Sequence, residues 1–202
     1  MRTLIFATNN KHKLQEVREM LEGIVCIKSL KEMVDEGYPQ LEGEIPETAD
    51  TLEGNALQKA QWVYERTGID CFADDTGLEV DALGGRPGVY SARYAGEHCT
   101  FDDNVNKMLS EMEGKKDRHA CFRTIICLIE KQGETVLTNN FEGRVDGTIL
   151  TERYGEEGFG YDPIFMPERF AVSFAEMPLE VKNSISHRGL AVKKLVDYLK
   201  QK

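Results

Sequence analysis

Residues 119–142 read HACFRTIICLIEKQGETVLTNNFE, and they decide the class of fold. Two runs rich in β-branched and apolar residues, His119 to Lys131 and Glu134 to Glu142, lie on either side of Gln132-Gly133. This pattern is typical of a β-hairpin, whose strands pair antiparallel. The sheet that contains these residues is therefore not purely parallel.

The sequence around this hairpin alternates between strand and helix patterns. Towards the N-terminus we predict a strand from Thr3 to Ala7, a helix from Lys11 to Glu22, a strand from Val25 to Leu30 and a loop from Asp35 to Asp50. A long helix follows, with Asp50 as N-cap, Glu53 at the capping-box position and Gly68 at its C-terminal end. After it we predict a short strand from Cys71 to Ala73 and a helix from Thr100 to Glu113. A last helix is predicted from Gly189 to Lys200. These elements predict an α/β fold with a mixed central β-sheet flanked by helices.

The composition limits the size, the partners and the compartment. The 202 residues, 41% of them hydrophobic, predict one globular domain over residues 1–202. The net charge of −10 excludes a general nucleic-acid binder, but it leaves room for a local site for a small anion. No apolar run approaches the roughly 20 residues of a membrane span, and the five cysteines show no C-x-x-C spacing. We therefore expect a cytoplasmic protein without a disulfide framework, a zinc site or a membrane anchor.

The first candidate binding segment is Thr8-Asn9-Asn10-Lys11-His12-Lys13, at the predicted junction of a strand and a helix. The first amides of a helix are unpaired and carry the positive end of its dipole, so phosphate binds there readily. Hydroxyl, amide and ammonium groups in the segment add donors. The alternative is that Asn9 or Asn10 caps the helix while Lys11 and Lys13 are solvated.

The second candidate is Asp74-Asp75-Thr76-Gly77, at the end of a predicted strand. Adjacent carboxylates repel each other unless a cation is near, and Mg²⁺ takes one or two carboxylates together with phosphate oxygens and water. Because side chains alternate along a strand, one Asp of the pair is expected to face a site. The alternative is an ordinary turn. A further carboxylate can come from the acidic loop, at Glu42, Glu44 or Glu47.

Two more segments carry groups that suit a nucleotide. Gly158-Phe159-Gly160-Tyr161-Asp162-Pro163 can present a flat aromatic face to a base, or fold its rings into the core. Lys182, His187 and Arg188 precede the last helix, where they can bind phosphate and a base carbonyl or form a solvated turn with Ser186 as cap. Taken together, the four segments describe a site for a magnesium nucleotide.

At these residues the chain resembles the inosine triphosphate pyrophosphatase family, which hydrolyses non-standard purine nucleoside triphosphates. The resemblance runs nearly end to end. It is carried by Ala7 to Lys13, Glu53-Gly54-Asn55-Ala56, Lys59-Ala60, Phe72 to Leu78, Gly84 to Tyr94, Gly158 to Phe165 and Ser186 to Gly189. It implies an elongated α/β protein with a cleft between two lobes, usually a homodimer, that uses Mg²⁺ to cleave ITP, dITP and XTP into the monophosphate and pyrophosphate.

The resemblance also implies a role for each matching residue. The triphosphate would be held by Thr8, Asn10 and Lys13. The same substrate-binding segment includes Asn9, Lys11 and His12. Asp75 would be the proton acceptor beside the metal, Glu47 is the closest match to the second metal carboxylate, and Thr76, where the family commonly has Ser, would contact substrate. Phe159 and Tyr161 would frame the base, with Gly160 and Asp162 in the same segment. Lys182, His187 and Arg188 would complete the purine pocket, and the donors of His187 and Arg188 would favour a 6-oxo purine over adenine.

Two other functions are compatible with parts of the pattern. A fold-related pyrophosphatase that acts on pyrimidine or modified nucleotides is one, but its Ser- and Arg-rich N-terminal loop does not match Thr8 to Lys13. The other is a nucleotide-binding sensor without turnover, and the acidic pair Asp74-Asp75 argues against it, since a pure binder has little need for repelling carboxylates.

Overall fold

The computed structural model describes residues 2–201. Seven strands are assigned within this range: β1 (Thr3–Phe6), β2 (Cys26–Ser29), β3 (Cys71–Val80), β4 (Pro87–Gly88), β5 (His119–Gln132), β6 (Thr135–Ile149) and β7 (Phe165–Pro167). The same range holds six α-helices: α1 (Lys11–Leu21), α2 (Leu30–Asp35), α3 (Leu52–Thr67), α4 (Phe101–Glu111), α5 (Leu179–Ile185) and α6 (His187–Lys200).

The strands form a mixed sheet in the order β2-β1-β3-β5-β6-β7, and β4 pairs with β3. β1 runs parallel to both β2 and β3, with Phe6 opposite Ser29 and Phe72. β6 and β7 are antiparallel, and β5 and β6 are joined by a tight turn at residues 133–134. The predicted α/β class, the mixed sheet and the hairpin are therefore confirmed. The elongated shape and the cleft stay predictions.

The described residues group into two compact units. The first unit contains residues up to Asp75, Thr124–Glu142 and residues from Ala191 onward; the second contains Thr76–Arg123 and Gly143–Leu190. The boundaries fall inside β3, β5, β6 and α6, so each of these elements contributes residues to both units.

The first unit has its own apolar core. β1 contributes Leu4 and Phe6, and α1 contributes Val17 and Leu21, which lie on one face because they are four residues apart. The rings of Phe6 and Phe72 stack with centroids 4.6 Å apart, which fixes β1 against β3. This packing positions the end of β1, which leads into the first candidate segment, beside β3, which carries the second.

The second unit is built around a separate cluster of aromatic rings. The ring centroids of Phe122, on β5, and Phe165 are 4.7 Å apart in an edge-to-face arrangement. Those of Phe165 and Phe174 are 5.3 Å apart. Val105 and Met108 of α4 are buried in the same core. His187 stacks on Phe122 with ring centroids 4.5 Å apart, so the start of α6 is attached directly to this core.

The long helix α3 starts one residue later than predicted. Thr51, not Asp50, is the N-cap, because its hydroxyl accepts a hydrogen bond from the Gly54 amide at 3.0 Å. Gly68 ends the helix as predicted, with a φ of 65° that an L side chain rarely adopts. Trp62 is half-buried on this helix, and the Arg66 guanidinium lies 4.3 Å from its ring centroid.

Two other predicted elements are corrected. The predicted strand that stops at Ala73 before an acidic turn is wrong, because β3 continues through Asp74-Asp75-Thr76-Gly77 to Val80. The predicted strand that reaches Leu30 ends at Ser29, since Ser29 and Glu32 form a capping box that starts α2. The first correction depends on partners that are distant in sequence, and the second depends on a local capping box.

Candidate functional site

The segment that joins β1 to α1 is organised by Asn10. Its side-chain oxygen accepts hydrogen bonds from the amides of His12 at 3.0 Å and Lys13 at 3.2 Å, which makes it the N-cap of α1. The Thr8 hydroxyl accepts from the Asn10 amide at 3.1 Å. The capping interpretation of Asn10 is therefore confirmed, and the segment exposes the positive end of a helix dipole.

The remaining side chains of this segment have different environments. Asn9 is exposed and donates to the Gly43 carbonyl at 3.4 Å, which ties the segment to the acidic loop. Lys11 and His12 are exposed. Lys13 is not simply solvated, because its ammonium group donates to Asp74 at 3.0 Å.

Asp74 and Asp75 point to different partners, as expected of consecutive residues in a strand. The side chain of Asp74 is 1% exposed and pairs with Lys13. Asp75 accepts from the Lys59 ammonium at 2.9 Å through one oxygen and from the Asn55 amide at 3.2 Å through the other. Lys59 also donates to Glu47. Glu47 and Asp75 therefore converge on the ammonium group of Lys59, whose side chain is 5% exposed.

Asn55 and Lys59 are two further functional candidates, to which the sequence alone assigns no role. They lie four residues apart on α3, so they share the buried face that also carries Ala56, Ala60 and Val63. A lysine among the apolar residues of a helix face is a sequence signal for a buried ion pair. An ammonium group buried without a partner is costly, so such a lysine is expected to contact carboxylates. The partners that make it stable, Glu47 and Asp75, are 12 and 16 residues away along the chain.

Burial and charge shift the pKa values of this cluster. Burial raises the pKa of Asp75 above that of an ordinary aspartate and outweighs the opposing effect of Lys59 and Lys13. Burial by itself lowers the pKa of Lys59, but Asp75, Glu47 and Asp74 together raise it above the ordinary value. Lys59 therefore stays charged at neutral pH, and Asp75 is a stronger base than an exposed aspartate.

The donor set fits a divalent cation. Two carboxylates already share one cation, the Lys59 ammonium, and Mg²⁺ in enzymes takes one or two protein carboxylates with phosphate oxygens and water as further ligands. Within residues 2–201, no group of three or more His, Cys, Asp or Glu side chains is placed to hold a metal by itself. A metal held by two carboxylates has coordination positions left for phosphate oxygens and water.

The second unit contains a separate polar cluster around Phe159. Asp162 accepts hydrogen bonds from the Phe159 amide and the Lys182 ammonium, both at 2.8 Å. Lys182 lies 5.0 Å and Arg188 5.6 Å from the Phe159 ring centroid. Gly158 is required here, because its φ is +78° and a Cβ atom would lie 2.1 Å from an Asp162 carboxylate oxygen. Half-buried Phe159 is thus held with two cations beside its ring.

The residues before and at the start of α6 are buried. Lys182, His187 and Arg188 are 2–3% exposed, so the alternative of a solvated basic turn is wrong. Arg188 donates to the Thr76 hydroxyl at 3.4 Å, which brings these two predicted site residues together. Gly189 follows directly, where a Cβ atom would lie 1.8 Å from the Asn183 carbonyl oxygen.

Tyr161 faces the core of the second unit. It is 5% exposed, and its hydroxyl donates to the Ser91 carbonyl at 2.8 Å. Burial raises the pKa of this phenol strongly. Gly160 has a φ of 64° and turns the chain between the two aromatic residues. Of the two aromatic residues, Phe159 is therefore the more accessible, and Tyr161 belongs to the core.

No helix in the described part of the chain is long and apolar enough to cross a membrane. All five cysteines are free thiols, and burial raises the pKa of Cys71 strongly and that of Cys127 to about 12. These two thiols are therefore poor nucleophiles.

Comparisons with known proteins show which family and which fold the chain resembles. A model of the Ham1 family matches residues 4–198. A protein of Porphyromonas gingivalis named dITP/XTP pyrophosphatase is 55% identical over 200 residues, which are 98% of this chain and 98% of that protein. One of Flavobacterium johnsoniae with the same name is 52% identical, over 97% of each chain. The solved structure of a HAM1 protein from Coxiella burnetii superposes with a TM-score of 0.87 at 34% identity, over 100% of both chains.

Proposed function

The chain belongs to the Ham1 family, and from this premise we propose that it hydrolyses the non-standard purine nucleoside triphosphates dITP, ITP and XTP to a monophosphate and pyrophosphate. The relatives that are most informative carry the name dITP/XTP pyrophosphatase. The observation that carries the proposal is the buried Asp75, which shares a cation with Glu47 in the unit that also contains the Asn10-capped helix.

The proposed chemistry assigns Asp75 as the base. A water molecule forms a bond to the α phosphorus while the bond from that phosphorus to the bridging oxygen breaks. Pyrophosphate leaves with the bridging oxygen and the electron pair, and a proton of the water passes to the Asp75 carboxylate. Asn55 orients Asp75 by donating to the oxygen that Lys59 does not contact. The raised pKa of Asp75 suits this role because it strengthens the base.

We propose Mg²⁺ as the cofactor, held by Glu47 and Asp75. When bound, it would offset the negative charge of the phosphates and of the leaving pyrophosphate. Thr8, Asn10 and Lys13 would position the triphosphate at the start of α1, where helix amides and an ammonium group are available, with Asn9, Lys11 and His12 at its margin.

The second cluster is proposed to select the base. Phe159 would stack on the purine, and Lys182, His187, Arg188 and Thr76 would supply polar contacts. Donors that face a 6-oxo group are left unpaired by the amino group of adenine, at a cost of about 1–3 kcal/mol each. Asp162 holds Phe159 and Lys182 in place, and Tyr161 supports the segment from the core.

The test is a turnover assay with purified protein and Mg²⁺. We expect dITP, ITP and XTP to yield monophosphate and pyrophosphate much faster than dATP or dGTP. Separating pyrophosphate from orthophosphate identifies the cleaved bond. Release of orthophosphate with a diphosphate, or equal rates with dATP, would contradict the proposal, and undiminished turnover in excess chelator would contradict the cofactor.

We further propose that the protein is a homodimer in the cytoplasm. The dimer is supported by the family resemblance, and the compartment by five cysteines without a disulfide. Sedimentation equilibrium is expected to give twice the mass of one chain, and a single-chain mass at micromolar concentration would contradict the dimer.

A further inference from the structure

The Lys59 ammonium lies where the proposed metal would bind. It contacts Glu47 and one oxygen of Asp75 at 2.9 Å, and these are the two carboxylates assigned to Mg²⁺. The other oxygen of Asp75 accepts from Asn55. A cation that binds the oxygens contacted by Lys59 therefore competes with its ammonium group.

The charge balance gives Lys59 a role before any metal arrives. Glu47, Asp74 and Asp75 carry three negative charges when ionised, and Lys13 and Lys59 carry two positive charges. Lys13 contacts Asp74, whereas Lys59 contacts both Glu47 and Asp75 and so bridges these two carboxylates. Without it, two partly buried carboxylates would repel each other across a few ångströms of low dielectric.

We propose that Lys59 is a resident counter-cation, which occupies the metal position in the metal-free protein and which Mg²⁺ must displace from at least one carboxylate. Lys59 is in this sense a positioning residue: it keeps Glu47 and Asp75 together between turnovers and sets the affinity for the metal. The inference rests on the metal site of the proposed function.

The first experiment measures binding of Mg²⁺ alone, without nucleotide, by isothermal titration calorimetry. Lys59→Met removes the competing charge while keeping a side chain of similar length. We expect its dissociation constant for Mg²⁺ to fall about tenfold, which corresponds to about 1.4 kcal/mol of lost competition. The matched control is Lys28→Met, which removes the same charge from the surface pair with Glu36 and should leave the dissociation constant unchanged.

The same variants separate this role from a purely structural one. Metal-free Lys59→Met should unfold at a lower temperature than the wild type, because Glu47 and Asp75 lose their shared cation, and Mg²⁺ should restore its midpoint more than it raises that of the wild type. A folded Lys59→Met protein that binds Mg²⁺ as weakly as the wild type, or more weakly, overturns the proposal.

A second measurement does not depend on the variant folding. In a crystal structure of the wild type with Mg²⁺, we expect the Lys59 ammonium to have left Glu47 or Asp75. If Lys59 keeps its contacts with Glu47 and Asp75 while Mg²⁺ is bound to the same carboxylates, the exchange is overturned but the metal assignment is not. If neither the wild type nor Lys59→Met binds Mg²⁺ in the absence of nucleotide, the exchange is overturned, whereas the metal assignment of the proposed function is decided separately by turnover in excess chelator.

Discussion

At the scale of single residues, the neighbours Asp74 and Asp75 have separate tasks. Asp74 is buried against Lys13, and Asp75 against Lys59 and Asn55. The alternation of side chains along a strand is predictable from the sequence. The identity of each partner is not, because Lys13 and Lys59 reach β3 from different helices and only tertiary packing decides which lysine meets which carboxylate.

Asp75→Asn tests the proposed base. Asparagine keeps the shape of the side chain but cannot accept a proton, so we expect kcat for dITP to fall at least about 10²-fold. Far-UV circular dichroism should remain that of the wild type. Asp35→Asn, at an exposed position at the end of α2, is the control and should keep its activity. Turnover of Asp75→Asn within tenfold of the wild type would contradict the role of Asp75.

The buried pair of Lys182 and Asp162 gives a prediction about stability. Lys182→Met leaves Asp162 buried without its ammonium partner, so we expect a loss of about 3–5 kcal/mol in the free energy of unfolding. Asp162→Asn added to Lys182→Met should recover part of this loss, because the isolated charge is gone while residue 162 can still accept from the Phe159 amide. Urea unfolding of the two single variants and the double variant measures the coupling. Additive losses would show that the pair does not interact as described.

At the scale of elements, the start of α2 shows how a few hydrogen bonds decide where a strand ends. The Ser29 hydroxyl accepts from the Glu32 amide at 3.2 Å, and the Glu32 carboxylate accepts from the Ser29 amide at 2.7 Å. The sequence S-x-x-E is a recognisable capping box, but it follows an apolar run that also suits a strand, and that run led to the wrong boundary. The hydrogen bond from the Ser29 amide is the main cause of the lowered pKa of Glu32, with the Ser29 hydroxyl and Arg18 contributing in the same direction.

This lowered pKa predicts how the capping box responds to pH. A carboxyl whose pKa is lower in the folded state stabilises the fold above its unfolded pKa and loses that contribution as the pH falls through its folded pKa. Because the Glu32 side chain is 43% exposed and glutamine can also close a capping box, Glu32→Gln should cost only about 0.5 kcal/mol at pH 7. The difference from the wild type should shrink as the pH falls below about 4, because the wild-type carboxyl is then protonated as well.

Urea unfolding of the wild type and Glu32→Gln across this pH range makes the comparison. Glu65→Gln, at an exposed position of α3, is the control and should follow the wild type throughout. A cost for Glu32→Gln that is the same at pH 3 and pH 7 would contradict a charge-dependent cap.

At the scale of the whole molecule, binding of the product nucleotide should stabilise the fold. With inosine monophosphate at 100 times its dissociation constant, the free energy of unfolding should rise by about 2.7 kcal/mol. For a chain of this length, that rise corresponds to an increase of about 5–10 °C in the unfolding midpoint. Differential scanning fluorimetry with adenosine monophosphate at the same concentration is the control. An equal shift with both nucleotides would contradict selection of a 6-oxo purine.

The α/β class was predictable because the hairpin pattern and the junction between β1 and α1 are both local in sequence. The motifs of the site were recognisable for the same reason. Asp50 and Thr51 are both good N-cap residues, so the sequence does not distinguish them. Only the hydrogen bond from the Gly54 amide identifies Thr51 as the cap. Lys59 belongs to a segment that carries the family resemblance, but its role depends on Glu47 and Asp75, and contacts distant in sequence are not visible in a local pattern.

The position of Trp62 gives a practical tool. It is the single tryptophan of the sequence, and it lies on α3, the helix that carries Asn55 and Lys59. Its intrinsic fluorescence therefore reports on the first unit alone, whereas circular dichroism averages over every helix and strand. Recording both signals through one denaturation shows directly whether unfolding is a single cooperative transition, since coincident curves are the signature of two-state behaviour. The protein carries its own label for one of its two units.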